Sequence, residues 1–325
     1  MLALSEGFLG LELSVTLSTA LVDFFAKWGA LELASFVFDK MKDRNVITWI
    51  AMFVGLAQNG LAEDASKLFS PIQEKGVAVN STTLVSLVHS CAHLGFLRKG
   101  KSIHVYLIRH GFIFDVVDMT ALIDMYAKCG KIQSAESLFN NNSITKDVIS
   151  FNSMITGYAL HGQGNQAVSN YFRMIKEGIM PNHSTFLSPL TACSHSGLVE
   201  DGITLFHRMK EDHKLGPTEK HYSRLVDVLG KAGRVEEARA LIRKMPFEPS
   251  SAVLETFLSG CRLQKNITMG IKVADRLLHL DAMNTAVYVV LSNMYAEARR
   301  WDKVDYIRGL MRKHGVKKTP AYSSF

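Results

Sequence analysis

Residues 121–139 read ALIDMYAKCGKIQSAESLF, and this stretch decides the fold. Leu122, Ile123, Met125 and Tyr126 recur at the spacing of one helical face. Gly130 ends that run, as a residue without a Cβ does where a helix must turn through left-handed backbone. A second run carries Ala135 and Phe139. The segment therefore reads helix, tight turn, helix.

The same pattern recurs along the chain. Its glycine is Gly29, Gly60, Gly95, Gly130, Gly162, Gly197 and Gly233, at spacings of 31, 35, 35, 32, 35 and 36. Lys265 and Arg299 take the glycine's place in two further units. Five residues later stands a small side chain: Ala34, Ala65, Gly100, Ala135, Ala167, Gly202, Ala238 and Gly270. Nine residues after the glycine an aromatic recurs, as Phe38, Phe69, Phe139, Tyr171 and Phe206. The small residue lets two helices approach, and the aromatic fills the space between units. A two-helix unit of about 35 residues cannot bury its apolar face alone, so neighbours must stack. The predicted fold is an all-α, right-handed helix-turn-helix repeat solenoid of about eighteen helices.

Composition agrees with a folded chain that has partners. Of 325 residues 47% are hydrophobic and 21% charged, enough to bury a core. Lys and Arg number 37 against 30 Asp and Glu, a formal +7 that leans toward a polyanionic partner. The four cysteines, Cys91, Cys129, Cys193 and Cys261, lie far apart and form neither a disulfide framework nor a metal motif. Of two uncharged stretches, 148–172 is too polar to span a membrane and 45–62 reads as a turn plus a buried helix.

ALIDMYAKCGKIQSAESLF, VISFNSMITGYALHGQGNQAV and LTACSHSGLVEDGITLFHRM resemble a plant pentatricopeptide repeat protein of the PLS subfamily. The resemblance implies S-type units at 15–45, 116–147 and 219–250, P-type units at 46–80 and 148–182, and L-type units at 81–115 and 183–218. Residues 251–325 resemble the paired E-type motifs that close such proteins, through LSGCRLQKNITMG and YVVLSNMYAEARRWDKV. Residues 1–14 resemble the remnant of a further unit, which implies an array and a transit peptide upstream. The tail Ala321–Phe325 departs from the family's closing pattern.

In that family the fifth and last residues of a unit face one RNA base together, one base per unit. Carried onto this chain, the pairs are Thr19 with Asn45, Ile50 with Asn80, Val85 with Asp115, Thr120 with Asp147, and Asn152 with Asn182. Leu187 with Thr218 and Ser223 with Ser250 follow. An ionised Asp only accepts, so Thr120 and Asp147 suit the donor edge of guanine. By analogy Thr19 and Asn45 suit adenine, and Asn152 and Asn182 a pyrimidine. Ile50, Val85 and Leu187 have no hydrogen-bonding group and discriminate poorly. Asn and Asp before a new helix are also favoured N-caps, so capping stands beside readout at each last residue. Thr16, Ile47, Val117 and Ile149 resemble residues that sandwich a base, with packing between units as the other reading. Lys27, Lys128 and Lys231 share one position in the three S-type units, as phosphate contacts or as charges at a helix C-terminus.

Other motifs carry less. Gly162-Gln-Gly-Asn-Gln-Ala167 matches a dinucleotide fingerprint but lies at the repeat's own turn, with no strand before it. Cys91-x-His93 and Cys193-x-His195 are equivalent places in two units rather than one metal site. The H-x-E and P-C-x-x-C pieces of a zinc nucleotide deaminase do not occur. The expected function is sequence-specific binding of single-stranded RNA, with no catalysis, metal or cofactor. The resemblance implies an organellar site-recognition factor for C-to-U editing, with mitochondrion before chloroplast and a DYW-type deaminase recruited in trans through residues 251–325. A factor for RNA splicing or stability and a protein-binding helical scaffold stand as alternatives.

Overall fold

The structure, a computed structural model, describes residues 14–59, 61, 64, 81–111, 114–141 and 145–315. Among them are seventeen α-helices and no strand. The fold is all-α, as the repeat predicts.

Two compact units divide the chain, Met1–Lys146 and Asp147–Phe325. The first holds α1 (Val15–Lys27), α2 (Leu31–Lys40), α3 (Val46–Gln58), α4 (Ser81–Leu94), α5 (Leu97–Arg109), α6 (Val116–Lys128) and α7 (Ile132–Phe139). The second holds α8 (Val148–Leu160), α9 (Gly164–Lys176), α10 (His183–Ser196), α11 (Val199–Glu211), α12 (Glu219–Lys231), α13 (Val235–Arg243), α14 (Ser251–Leu263), α15 (Ile267–Leu280), α16 (Thr285–Glu297) and α17 (Trp301–Lys313). Within each unit the first helix of a repeat packs on its own second helix and on the first helix of the next repeat. Residues 65–80, which hold Ala65, Phe69 and Asn80, lie outside the described residues.

The turn explains the glycine. Gly29, Gly95, Gly130, Gly162, Gly197 and Gly233 have φ between 66° and 80°, the left-handed region. The residue after each returns its N–H to a carbonyl five positions back, as Lys131 N does to Tyr126 O at 2.8 Å. That closes the helix end in a Schellman turn. Lys265 and Arg299 adopt φ 54° and 58° and make the same turn, through Asn266 N to Cys261 O and Arg300 N to Tyr295 O.

Packing follows the same register. Ala34, Ala135, Ala167 and Ala238 are fully buried. A Cβ on Gly260 would meet the Gly230 Cα at 2.9 Å, so α12 and α14 touch backbone to backbone. The recurring aromatic packs against the next repeat's ring: Phe38 on Trp49 at 4.9 Å, Tyr171 on Phe186 at 5.4 Å, Phe206 on Tyr222 at 5.1 Å. Such pairs contribute about 0.5–1.5 kcal/mol beyond their buried area.

Candidate nucleic-acid interface

Where repeats open at α3, α6, α8 and α10, a side-chain cap fixes the last residue of the repeat before. Asp115 Oδ1 accepts from Asp118 N at 2.8 Å, Asp147 Oδ1 from Ser150 N at 2.8 Å, and Asn182 Oδ1 from Thr185 N at 3.1 Å. Asn45 Oδ1 accepts from Thr48 N at 2.9 Å. In the first three the N3 side chain answers by accepting from the cap residue's own N–H, which completes a capping box. At Thr218 the return bond is made by His221, whose Nδ1 accepts from Thr218 N at 3.1 Å. Side-chain capping is therefore present at Asn45, Asp115, Asp147 and Asn182.

In α8 the fifth residue joins the last. Asn152 Nδ2 donates to Asn182 Oδ1 at 3.3 Å. Asn152 Oδ1 is buried without a partner, and Asn182 is exposed. In the first unit Thr19 and Asn45 are linked through Thr48, whose Oγ1 stands 2.7 Å from Thr19 Oγ1 and 2.9 Å from Asn45 Oδ1. Ile50 and Val85 are half-buried. Thr120 is buried in the first unit, its hydroxyl without a partner, and Asp147 opens the second. Asn80 lies outside the described residues.

The second-position residues are not buried between repeats. Ile47 is 65% exposed, Val117 61% and Ile149 59%, and Thr16 is exposed as well. Ile47, Val117 and Ile149 are thus apolar β-branched side chains held in solvent on the first turn of a helix.

In the second unit the first helices α8, α10, α12 and α14 line an open groove of about 1220 Å³. Leu187, Thr218, Ser223 and Glu255 lie along it. The composition predicts a basic groove, yet Lys220 and Arg224 there are balanced by Glu219 and Glu255. Other cations of this unit are spent in ion pairs outside the groove. Arg234 spans Glu200 at 2.6 Å and Glu237 at 2.5 Å, and Arg276 holds Glu248 at 2.6 Å.

The three lysines are paired alike. Lys27, Lys128 and Lys231 donate to Asp23, Asp124 and Asp227, one helical turn earlier, at 2.6, 2.8 and 2.8 Å. Lys231 also donates to Ser194 Oγ at 2.8 Å. The aspartates, at one repeat position, are a partner that the reading of the lysines overlooked.

Among the described residues no group of three or more His, Cys, Asp or Glu gathers to hold a metal. Burial pushes the Cys91 and Cys193 thiols up to about 12 and Cys261 up to about 11. No described helix is long and apolar enough to cross a membrane.

These repeats have known counterparts. The family model described as "PPR repeat" matches residues 17–46, 47–77, 117–141, 188–213 and 220–248, and that of the "PPR repeat family" matches 146–195. The chain belongs to the pentatricopeptide repeat family. A model described as "E motif" matches residues 264–324. These are models of repeats and a motif, and they make the chain a repeat protein. The pentatricopeptide repeat-containing protein CRR2, chloroplastic, of Arabidopsis thaliana is 38% identical over 94% of this chain and 47% of its own length. A putative pentatricopeptide repeat-containing protein of the same plant, named mitochondrial, is 38% identical over 97% of this chain and 52% of its own. The chain thus spans about half the length of the curated relatives it matches. The crystal structure of the pentatricopeptide repeat protein PPR10 from maize shares the fold, at 18% identity and a TM-score of 0.60, over 94% of this chain and 50% of that one.

Proposed function

We propose that this chain binds single-stranded RNA along its first helices and acts as a site-recognition factor for C-to-U editing in an organelle. It supplies specificity and leaves the chemistry to a deaminase recruited in trans through residues 251–325. The observation that carries the reading is the Asn152 Nδ2 to Asn182 Oδ1 bond, beside the exposed Ile149. A fifth and a last residue are coupled where a base can stack. The E motif at 264–324 supports the editing role, and relatives named chloroplastic and mitochondrial support an organelle.

Residue roles follow from this reading. Thr19 and Asn45 select adenine, Thr120 and Asp147 guanine, and Asn152 and Asn182 a pyrimidine. Units whose fifth residues are Ile50 and Val85 add length and little selectivity, whatever Asn80 and Asp115 contribute. Lys27, Lys128 and Lys231 serve phosphates only by leaving, or sharing, their aspartates.

Binding to a randomised single-stranded RNA pool tests the reading. Asn152→Thr gives that unit the Thr–Asn pair read as adenine-selective, so one position of the selected motif changes from pyrimidine to adenine. An unchanged motif removes the base assignments, and no RNA binding at all favours a protein-binding scaffold. Transcript sequencing in a line lacking the protein separates editing from splicing or stability.

A further inference from the structure

The groove does not stop at the last matched repeat. No family model covers residues 249–263, which include α14, yet Ala252, Glu255, Thr256 and Ser259 from that helix line the groove together with Leu187, Ser223 and Arg224. Five of the hydroxyls there have spent their protons. Thr156, Thr191 and Thr256 donate to the carbonyls of Asn152, Leu187 and Ala252 at 2.7, 2.8 and 2.9 Å. Ser188 then donates to Thr156 at 2.7 Å and Ser223 to Thr256 at 3.2 Å. These five hydroxyls therefore turn lone pairs toward the groove, beside the donors of Lys220 and Arg224.

With Glu219, Glu255 is one of two carboxylates on that floor. Asn284 Nδ2 donates to its Oε1 at 2.8 Å, while Asn284 Oδ1 caps α16 by accepting from Val287 N at 3.3 Å. This repeats, with the donor on the other side, the bond between Asn152 and Asn182. Glu255 Oε2 has no hydrogen-bond partner among the described residues. It is half-buried, and Lys220 and Arg224 lie in the same groove.

We infer that Glu255, fixed by Asn284, is an additional base-reading residue, selective for guanine. A guanine offers N1–H and N2–H₂ on one edge, two donors for one carboxylate. Adenine and cytosine present a ring acceptor beside their amino group, which the carboxylate repels, and uracil has a single donor flanked by carbonyls. Lys220 and Arg224 supply cations for the flanking phosphates. The tail unit thus lengthens the footprint by one nucleotide beyond Ser223. This inference rests on the reading of the groove as an RNA site.

The test uses the full chain and a randomised single-stranded RNA pool, comparing wild type with Glu255→Gln and Glu255→Ala. The glutamine keeps the size and the acceptor for Asn284 Nδ2, so thermal melting by circular dichroism should match wild type. Wild type selects guanine at a position 3′ or 5′ of the repeat-read motif, at one end of it only. In both variants guanine loses at least about fivefold there relative to the other bases, the lower end of a good polar base contact. If wild type selects a motif from the repeats and all three proteins share it at every position, Glu255 reads nothing. A uniform rise in affinity with an unchanged motif overturns the inference too, since it reports only a lost negative charge. If no protein binds RNA, the groove reading falls and this inference with it.

Discussion

Thr19 and Thr48 hold their hydroxyl oxygens 2.7 Å apart in the buried seam between α1 and α3. Two protons serve three contacts, because Thr19 Oγ1 also reaches Val15 O at 2.7 Å and Thr48 Oγ1 reaches Asn45 Oδ1 at 2.9 Å. Thr48→Val keeps the shape and removes one proton and one acceptor. Asn45 retains the backbone N–H of residue 48, so the cap survives. The expected cost is about 1 kcal/mol, one net buried hydrogen bond, read from the urea midpoint. A midpoint equal to wild type would show that the two hydroxyls contribute nothing.

Lys265 and Arg299 sit in left-handed backbone, where an L side chain costs about 1–2 kcal/mol. Glycine there relieves the strain and gives back part of it through the freer unfolded chain, about 0.5–1 kcal/mol. Lys265→Gly and Arg299→Gly should each stabilise by up to about 1 kcal/mol. Gly130→Lys, at φ 79°, should do the opposite. Denaturant midpoints of the three variants decide it, and a loss of stability in both glycine variants would mean that these side chains hold the turn.

His221 is fully buried and neutral by its bonds. Nδ1 accepts from Thr218 N, and Nε2–H donates to His183 O at 2.9 Å. Burial lowers its pKa, with the nearby His183 side chain adding to that and the His183 carbonyl opposing it. An unfolded histidine takes up its proton near pH 6.5. Stability is therefore complete above that pH and declines as pH falls through it toward the folded value. The urea midpoint of wild type should drop between pH 7.5 and 5.5 by more than that of His221→Gln. His104, also lowered by burial, contributes with the same sign in both proteins, so the difference is the readout. Equal drops would exclude His221 as a source of acid sensitivity.

The lysine ion pairs set a limit on the electrostatic part of RNA binding. Each phosphate neutralised on a single strand adds about 0.7 to the slope of log affinity against log salt. If Lys27, Lys128 and Lys231 leave their aspartates for phosphates, replacing all three with Gln lowers that slope by about 2. If the slope holds, their charges end on Asp23, Asp124 and Asp227.

The repeat register was legible because it rests on stereochemistry. Only a residue at ease with positive φ fits the turn, which placed Gly130 and, by counting, Lys265 and Arg299. The aromatic at the ninth position was legible for its size, and Phe38, Tyr171 and Phe206 pack as expected. The exposure of Ile47, Val117 and Ile149 was not, because an apolar residue in a helix reads as core until the neighbouring helix is placed. The capping boxes leave a signal of their own in the sequence: D-x-x-D at Asp115, D-x-x-S at Asp147 and N-x-x-T at Asn182. Glu255 could be counted as the fifth residue from Ser251, but its bond to Asn284 spans 29 residues and needs the fold.

Because the last residue of a repeat also caps the next helix, that position has a narrow neutral alphabet. Asn, Asp, Ser and Thr all accept the N3 amide, and they differ in what they offer a base. A lineage can exchange Asp147 for Asn, or Asn182 for Asp, without passing through a poorly folded ancestor. Only a step to an aliphatic residue exacts a cost in folding. Coupling recognition to the cap therefore gives such arrays a smooth path between target sequences, one substitution at a time.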